Sequence, residues 1–120
     1  MSDTQSWASE QFCYLTTAGR NTDNPHTIEI WFALEPGGRT LYMLSGGGGK
    51  ADWVRNILKN PQVTIRVGER TVTGNGRVIE DAEEEVLARK LVVAKYYRRE
   101  YNPSGGWEAT SLPVAFDLTG

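Results

Sequence analysis

The sequence is short of the residues that most disulfide, metal and nucleophile chemistry needs. It holds one cysteine, Cys13, and one histidine, His26. A lone thiol excludes an internal disulfide and any cysteine-based zinc cluster, and it suits a reducing compartment, so a cytoplasmic location is expected. No metal site is expected either, because a single histidine without matched partners is more often structural or exposed than a ligand. No apolar run approaches the length of a membrane span, and residues 1–11 carry neither a basic nor an apolar leader pattern, so no span and no export are expected. Positive charge is in deficit too. With 13 Lys and Arg against 15 Asp and Glu the net charge is -2, and binding a phosphate backbone needs a concentrated positive field, so no nucleic-acid partner is expected.

What is present describes a globular chain. At 120 residues, 39% hydrophobic and 23% charged, it is long enough for one real core and too short for a second. The expectation is a single domain over residues 1–120. Residues 1–10 read as a polar arm whose Trp7 folds back onto the body or onto a partner subunit.

The densest signal lies in residues 44–61, LSGGGGKADWVRNILKNP. A strand ends at Ser45, and Gly46, Gly47, Gly48, Gly49 and Lys50 follow. A helix then opens at Ala51 or Asp52 and closes at Asn60 and Pro61. Glycine lets a backbone approach a ligand closely, and a helix start leaves amide N–H groups unpaired. The segment can therefore hold an anion, a phosphate best of all, with Lys50 adding full charge. A plain flexible link fits the spacing equally well, because the pattern is neither a Walker motif nor a dinucleotide fingerprint.

Around this stretch the pattern is mostly β. Strands are expected over residues 12–17, 26–34, 40–45, 63–67, 70–79 and 113–119, from their alternation and β-branched content. In the second, Ile28, Ile30, Phe32 and Leu34 share one face. Gly68 and Glu69 suit a two-residue hairpin, and Gly74 and Gly76 are expected to mark a bulge or bend. The helix after the glycines shows one stripe of Trp53, Val54, Ile57 and Leu58. A second helix begins in the capping-box pattern after Asp81 and runs to about residue 99, with Val86, Leu87, Lys90, Leu91 and Ala94 on one side. Residues 102–107 form a loop of breakers. About six short antiparallel strands with glycine bends favour a closed barrel, which removes exposed edges, so the expected fold is a small six-stranded barrel flanked by two helices.

In order along the chain, YLTTAGR at residues 14–20, the turn and strand from Pro25 and His26 to Trp31 and Phe32, the glycine-lysine loop, DWVRN at 52–56 and NPQVT at 60–64 resemble the deazaflavin-dependent nitroreductase and quinone reductase family. That family belongs to the split β-barrel, pyridoxamine phosphate oxidase-like flavoproteins, and the resemblance covers residues 12–101. It implies an oxidoreductase that uses reduced coenzyme F-420 and passes a hydride to a nitro, quinone or enone-type substrate. It also implies that Ser45, Gly46, Gly47, Gly48, Gly49, Lys50, Asp52, Trp53 and Arg55, with His26, hold the cofactor. Tyr96, Tyr97 and Tyr101 then stand where a hydroxyl can donate a proton to the acceptor, and Trp31 and Trp107 where a substrate would lie. Packing at the end of the barrel is the alternative role for these aromatics.

The family places an arginine after the turn proline, where this chain has His26, and Glu29 brings a carboxylate close by. Glu29 is expected to pair with Arg20, Arg39 or a helix base. Two further readings stay open at this stage: an FMN-dependent reductase, and a non-catalytic flavin, deazaflavin or apolar-ligand binding protein. Split barrels of this group often form homodimers, and Trp7, Trp31 and Trp107 are candidates for such an interface or for the pocket.

Overall fold

The computed structural model describes residues 7, 9–22 and 24–119. Seven strands form one antiparallel sheet: β1 (Cys13–Ala18), β2 (Pro25–Ile30), β3 (Ala33–Leu34), β4 (Thr40–Ser45), β5 (Gln62–Val67), β6 (Arg70–Val78) and β7 (Leu112–Leu118). The helices are α1 (Asp52–Lys59), α2 (Ala82–Tyr97) and the short α3 (Trp107–Thr110). Two of the sequence expectations need correction: the strands number seven rather than six, and part of the expected breaker loop is helical.

The extra strand is what turns the sheet into a barrel. Its order is β2-β1-β5-β6-β7-β4-β3, so β2 and β3 lie at opposite edges although only Trp31 and Phe32 separate them in the chain. Three Cα steps span at most about 11 Å. The two edges must therefore curl round to meet, and the chain itself joins them where no ladder does. This is a split β-barrel.

The interior is filled by Leu15, Phe32, Leu41, Met43, Ile65, Val114 and Phe116, all fully buried, and Trp7 is buried with them. α1 lies against β1 and β6, while α2 covers the outer face of β3, β4 and β7. Strands under α2 are buried on both faces, which is why 41–44 reads as a continuous apolar run while β5, open on one side, alternates.

Several local expectations change for physical reasons. No bulge interrupts β6, since its registers with β5 and β7 run without a skip. Gly76 is there because a methyl group would come within 2.8 Å of the Phe116 ring. On α1, Val54 and Ile57 are buried but Leu58 is 64% exposed, and its place in the core-facing set goes to Asn56. On α2 the Asp81 carboxylate caps the helix as expected, accepting from the Glu84 amide at 2.8 Å. Its buried face, however, is Ala88, Arg89, Val92 and Val93, whereas Val86 and Leu87 face outward. Glu29 pairs with neither Arg20 nor Arg39: directly across from it on β1, the Tyr14 hydroxyl donates to its carboxylate at 2.7 Å.

Candidate functional site

The glycine loop leaves β4 at Ser45, which is buried and donates its hydroxyl to the Gly48 carbonyl at 2.9 Å. Ser45 therefore shapes the loop from beneath. Gly48 has φ 62, a left-handed conformation that favours glycine, and residues 48–50 form a single 3-10 turn. A side chain at Gly49 would meet nothing within 4 Å. α1 then begins at Ala51, which has no side chain able to cap it, and the first backbone bond of the helix is Arg55 to Ala51. The leading amides of α1 are thus left for an external acceptor, at the positive end of the helix dipole. Lys50 and Arg55 are exposed, and neither side chain forms an ion pair or hydrogen bond among the described residues.

A groove of about 580 Å³ runs from this helix start to the β1–β2 turn, lined by Arg20, His26, Asp52, Trp53 and Asn56 among others. Arg20 is held at its wall. The guanidinium donates to Asn56 Oδ1 at 3.0 Å and lies 3.3 Å from the exposed Asp52 carboxylate. Asn56 is in turn fixed by donating to Thr17 Oγ1 at 2.9 Å, with both side chains buried. His26 packs over Gly19, where a methyl group would come within 2.8 Å of its Nε2. Asp52, Trp53 and His26 from the expected cofactor set thus share one groove. Arg20 and Asn56 were missing from that set, because an arginine in a turn and an asparagine in an apolar stripe carry no signal of their own.

The expected substrate and catalytic aromatics form a second cluster. Trp31 stacks on Tyr96 with centroids 4.2 Å apart and an interplanar angle of 3°. Tyr97 and Trp107 each meet Trp31 edge-on at 6.0 Å. Trp107 also joins the cluster to the glycine loop: a methyl group at Gly46 would come within 2.9 Å of its indole nitrogen. Tyr101 stands apart, with no hydrogen bond or ring contact linking it to the others.

The tyrosines differ in what their hydroxyls do. Tyr96 accepts from the Phe32 amide at 2.9 Å and lies within donor range of the Gln11 and Phe32 carbonyls at 2.7 and 2.9 Å. It satisfies the backbone where the chain leaves one barrel edge for the other, and burial pushes its pKa up to about 12. Tyr97 is 44% exposed and its hydroxyl makes no hydrogen bond among the described residues.

The main chain beside Trp107 is held by a clasp that the sequence did not announce. The buried Glu108 carboxylate accepts from both terminal nitrogens of Arg99 and from the Asn102 amide at 3.0 Å. The Arg99 guanidinium beside it holds its pKa below the usual carboxylate range. From α2, buried Arg89 donates to the Glu108 and Ser111 carbonyls at 2.8 and 2.9 Å.

Among the described residues no cluster could hold a metal ion, and no helix is long and apolar enough to cross a membrane. What the site does offer is cations unpaired among the described residues, an uncapped helix start, a groove lined by Asp52, Trp53 and Asn56 of that helix, and partly exposed aromatic rings that reach the glycine loop through Trp107. These fit a long ligand with an anionic tail and a flat ring.

Comparison with known proteins agrees. The family profile of the F420H(2)-dependent quinone reductases matches residues 3–118. Similar solved structures include an F420-H2 dependent reductase, 20% identical, with 89% of this chain and 94% of that one covered at a TM-score of 0.69. A candidate 5-nitroimidazole antibiotic resistance protein from Bacteroides thetaiotaomicron is 17% identical, with 100% and 82% covered and a TM-score of 0.78. A candidate pyridoxamine 5'-phosphate oxidase from Listeria innocua is 18% identical, with 97% and 90% covered and a TM-score of 0.70. No curated protein matches. The chain belongs to the F420H2-dependent quinone reductase family and is an oxidoreductase whose cofactor is the deazaflavin coenzyme F-420.

Proposed function

We propose that this reductase acts on a quinone, nitro or enone-type acceptor bound against Trp31, Tyr97 and Trp107, with the anionic part of the cofactor held by the start of α1, Lys50, Arg55 and Arg20. The observation that carries the reading is the pair of exposed cations, unpaired among the described residues, beside an uncapped helix start whose Asp52, Trp53 and Asn56 line a groove, with Trp107 of the aromatic cluster against Gly46 of the preceding loop. When bound, the reduced deazaflavin supplies the hydride. The protein's part is to hold the anionic tail, to bring a flat acceptor to the ring, and to offer a proton where the acceptor oxygen gains charge. Among the tyrosines Tyr97 suits that last task best, because the Tyr96 hydroxyl is already committed to the main chain. Asp52 is the one acidic residue among the described residues that line the groove, and Arg20 offsets it.

The test is steady-state oxidation of reduced F-420 by a quinone and by a nitroaromatic dye, run beside binding titrations with F-420, FMN and FAD. Turnover with F-420 binding at micromolar concentration supports the reading. Binding without turnover across the panel favours a carrier, and FMN binding in place of F-420 overturns the cofactor assignment. A homodimer belongs to the same reading: among the described residues β2 forms a ladder only with β1, which leaves its other edge without one. Sedimentation velocity tests it, and a monomer at micromolar concentration would contradict it.

A further inference from the structure

One carboxylate, Glu108, ties the end of α2 to α3 beside the aromatic cluster. α2 is closed by Arg98, whose left-handed φ of 55 turns the chain, and Arg99 follows. The Glu108 carboxylate, only 5% exposed, accepts from both terminal nitrogens of Arg99 and from the Asn102 amide at 3.0 Å. α3 itself is a helix of four residues. Its first residue is Trp107, whose carbonyl accepts from the Ser111 hydroxyl at 2.6 Å and the Ser111 amide at 3.0 Å.

The pair reaches both rings that meet Trp31 edge-on. The Arg99 guanidinium lies 5.2 Å from the centre of the Tyr97 ring, and Trp107 is next to Glu108 in the chain. The segment between, residues 102–106, is made of breakers and packs little apolar surface. It gives a 38% exposed indole no firm seat of its own. Stability alone is a weak reason to bury a carboxylate there, because desolvation offsets much of the attraction in an ion pair. What a two-pronged arginine–carboxylate pair adds is direction, since it closes in one geometry.

We infer that Glu108 and Arg99 are positioning residues for the electron acceptor. Their pair sets where the Trp107 ring stands between Gly46 and Trp31, and through that ring how tightly a flat acceptor is held. The inference rests on the acceptor lying against Trp107, as proposed above. The pair acts through the ring and not on the reacting atoms, so it governs affinity for the acceptor rather than the chemical step.

The test joins fluorine NMR of the 5-fluorotryptophan-labelled protein with steady-state kinetics on reduced F-420 and menadione, a two-ring quinone. Of the resonances from the 4 tryptophans, the one lost in Trp107→Ala belongs to Trp107. Glu108→Gln, and Arg99→Gln at the half-exposed partner, should each shift or broaden that resonance and leave those of Trp7 and Trp53 in place. KM for menadione should rise several-fold in both, with kcat within about twofold and F-420 affinity unchanged. In the Trp107→Ala background Glu108→Gln should raise KM no further. An unmoved Trp107 resonance overturns the inference. So does a KM that Trp107→Ala raises and Glu108→Gln does not, or that Glu108→Gln raises equally with and without Trp107. An unchanged KM in Trp107→Ala itself overturns the placement of the acceptor, and the inference falls with it, whatever the fluorine spectrum shows of the ring.

Discussion

The Trp107 indole nitrogen lies so close to Gly46 that a methyl group there would come within 2.9 Å of it. This contact ties the glycine loop to the aromatic cluster, and hence the two halves of the proposed site to each other. A similar clash exists at Gly76, but there the neighbours are Phe116 at 2.8 Å and Ile57 at 3.1 Å, both buried. The two glycines should therefore respond differently to the same change. In Gly46→Ala the half-exposed indole can swing away, so stability should change by less than about 1 kcal/mol while KM for the acceptor rises several-fold. Gly76→Ala overpacks the core and should cost about 1–3 kcal/mol. Urea denaturation of both variants with acceptor kinetics checks this, and the reverse ranking would mean that Trp107 does not rest on the loop.

Tyr96 and Tyr97 are neighbours in sequence with opposite duties. Tyr96→Phe removes the hydroxyl that serves the Phe32 amide and lies within reach of the Gln11 and Phe32 carbonyls, and should cost about 1–3 kcal/mol of stability. Tyr97→Phe removes a hydroxyl with no such bonds, so stability should stay within about 0.5 kcal/mol. If Tyr97 donates the proton, kcat should fall about 10²-fold. Unchanged kcat in the folded Tyr97→Phe variant would leave the proton to solvent.

Acid should unfold the protein through its paired carboxylates. Glu84 and Asp117 share Arg77, and Glu108 holds Arg99; the arginine beside each keeps its pKa below the ordinary value. A depressed carboxyl contributes stability that is present above the unfolded-state pKa, near 4, and is lost as pH falls through the lower folded value. The urea midpoint should thus hold steady from pH 7 to about 5 and decline below about 4. Arg77→Gln should flatten that decline. An unchanged slope would show that these pairs are too well screened by solvent to matter.

Much of the fold was legible because it rests on local rules. Alternation found β5, the turn at Gly68 marked the β5–β6 hairpin, and Asp81 marked the start of α2. The break at Trp31 and Phe32 was hidden because apolar alternation runs straight through it, from Ile28 to Leu34. Only the sheet as a whole reveals that the chain changes edges there. The buried face of α2 was misread because Arg89, which sequence assigns to solvent, is buried by two carbonyls from a segment about twenty residues away. In the candidate site, the glycines, Lys50 and the aromatics stood out by type and order. Arg20, Asn56, Arg99 and Glu108 did not, since each acquires its role from a partner distant in sequence or from a turn with no motif.

The central claim is that the unpaired cations beside the start of α1 hold the cofactor's anionic tail. It is tested most directly by the dissociation constant of F-420, followed by tryptophan fluorescence, for the wild type, Lys50→Ala and Arg55→Ala. Both residues are exposed and make no ion pair among the described residues, so both variants should fold with unchanged urea midpoints. Each lost charge-assisted bond should weaken binding by about 1.5–3 kcal/mol, roughly 10- to 150-fold. Equal affinity in all three proteins would place the tail elsewhere and contradict the account.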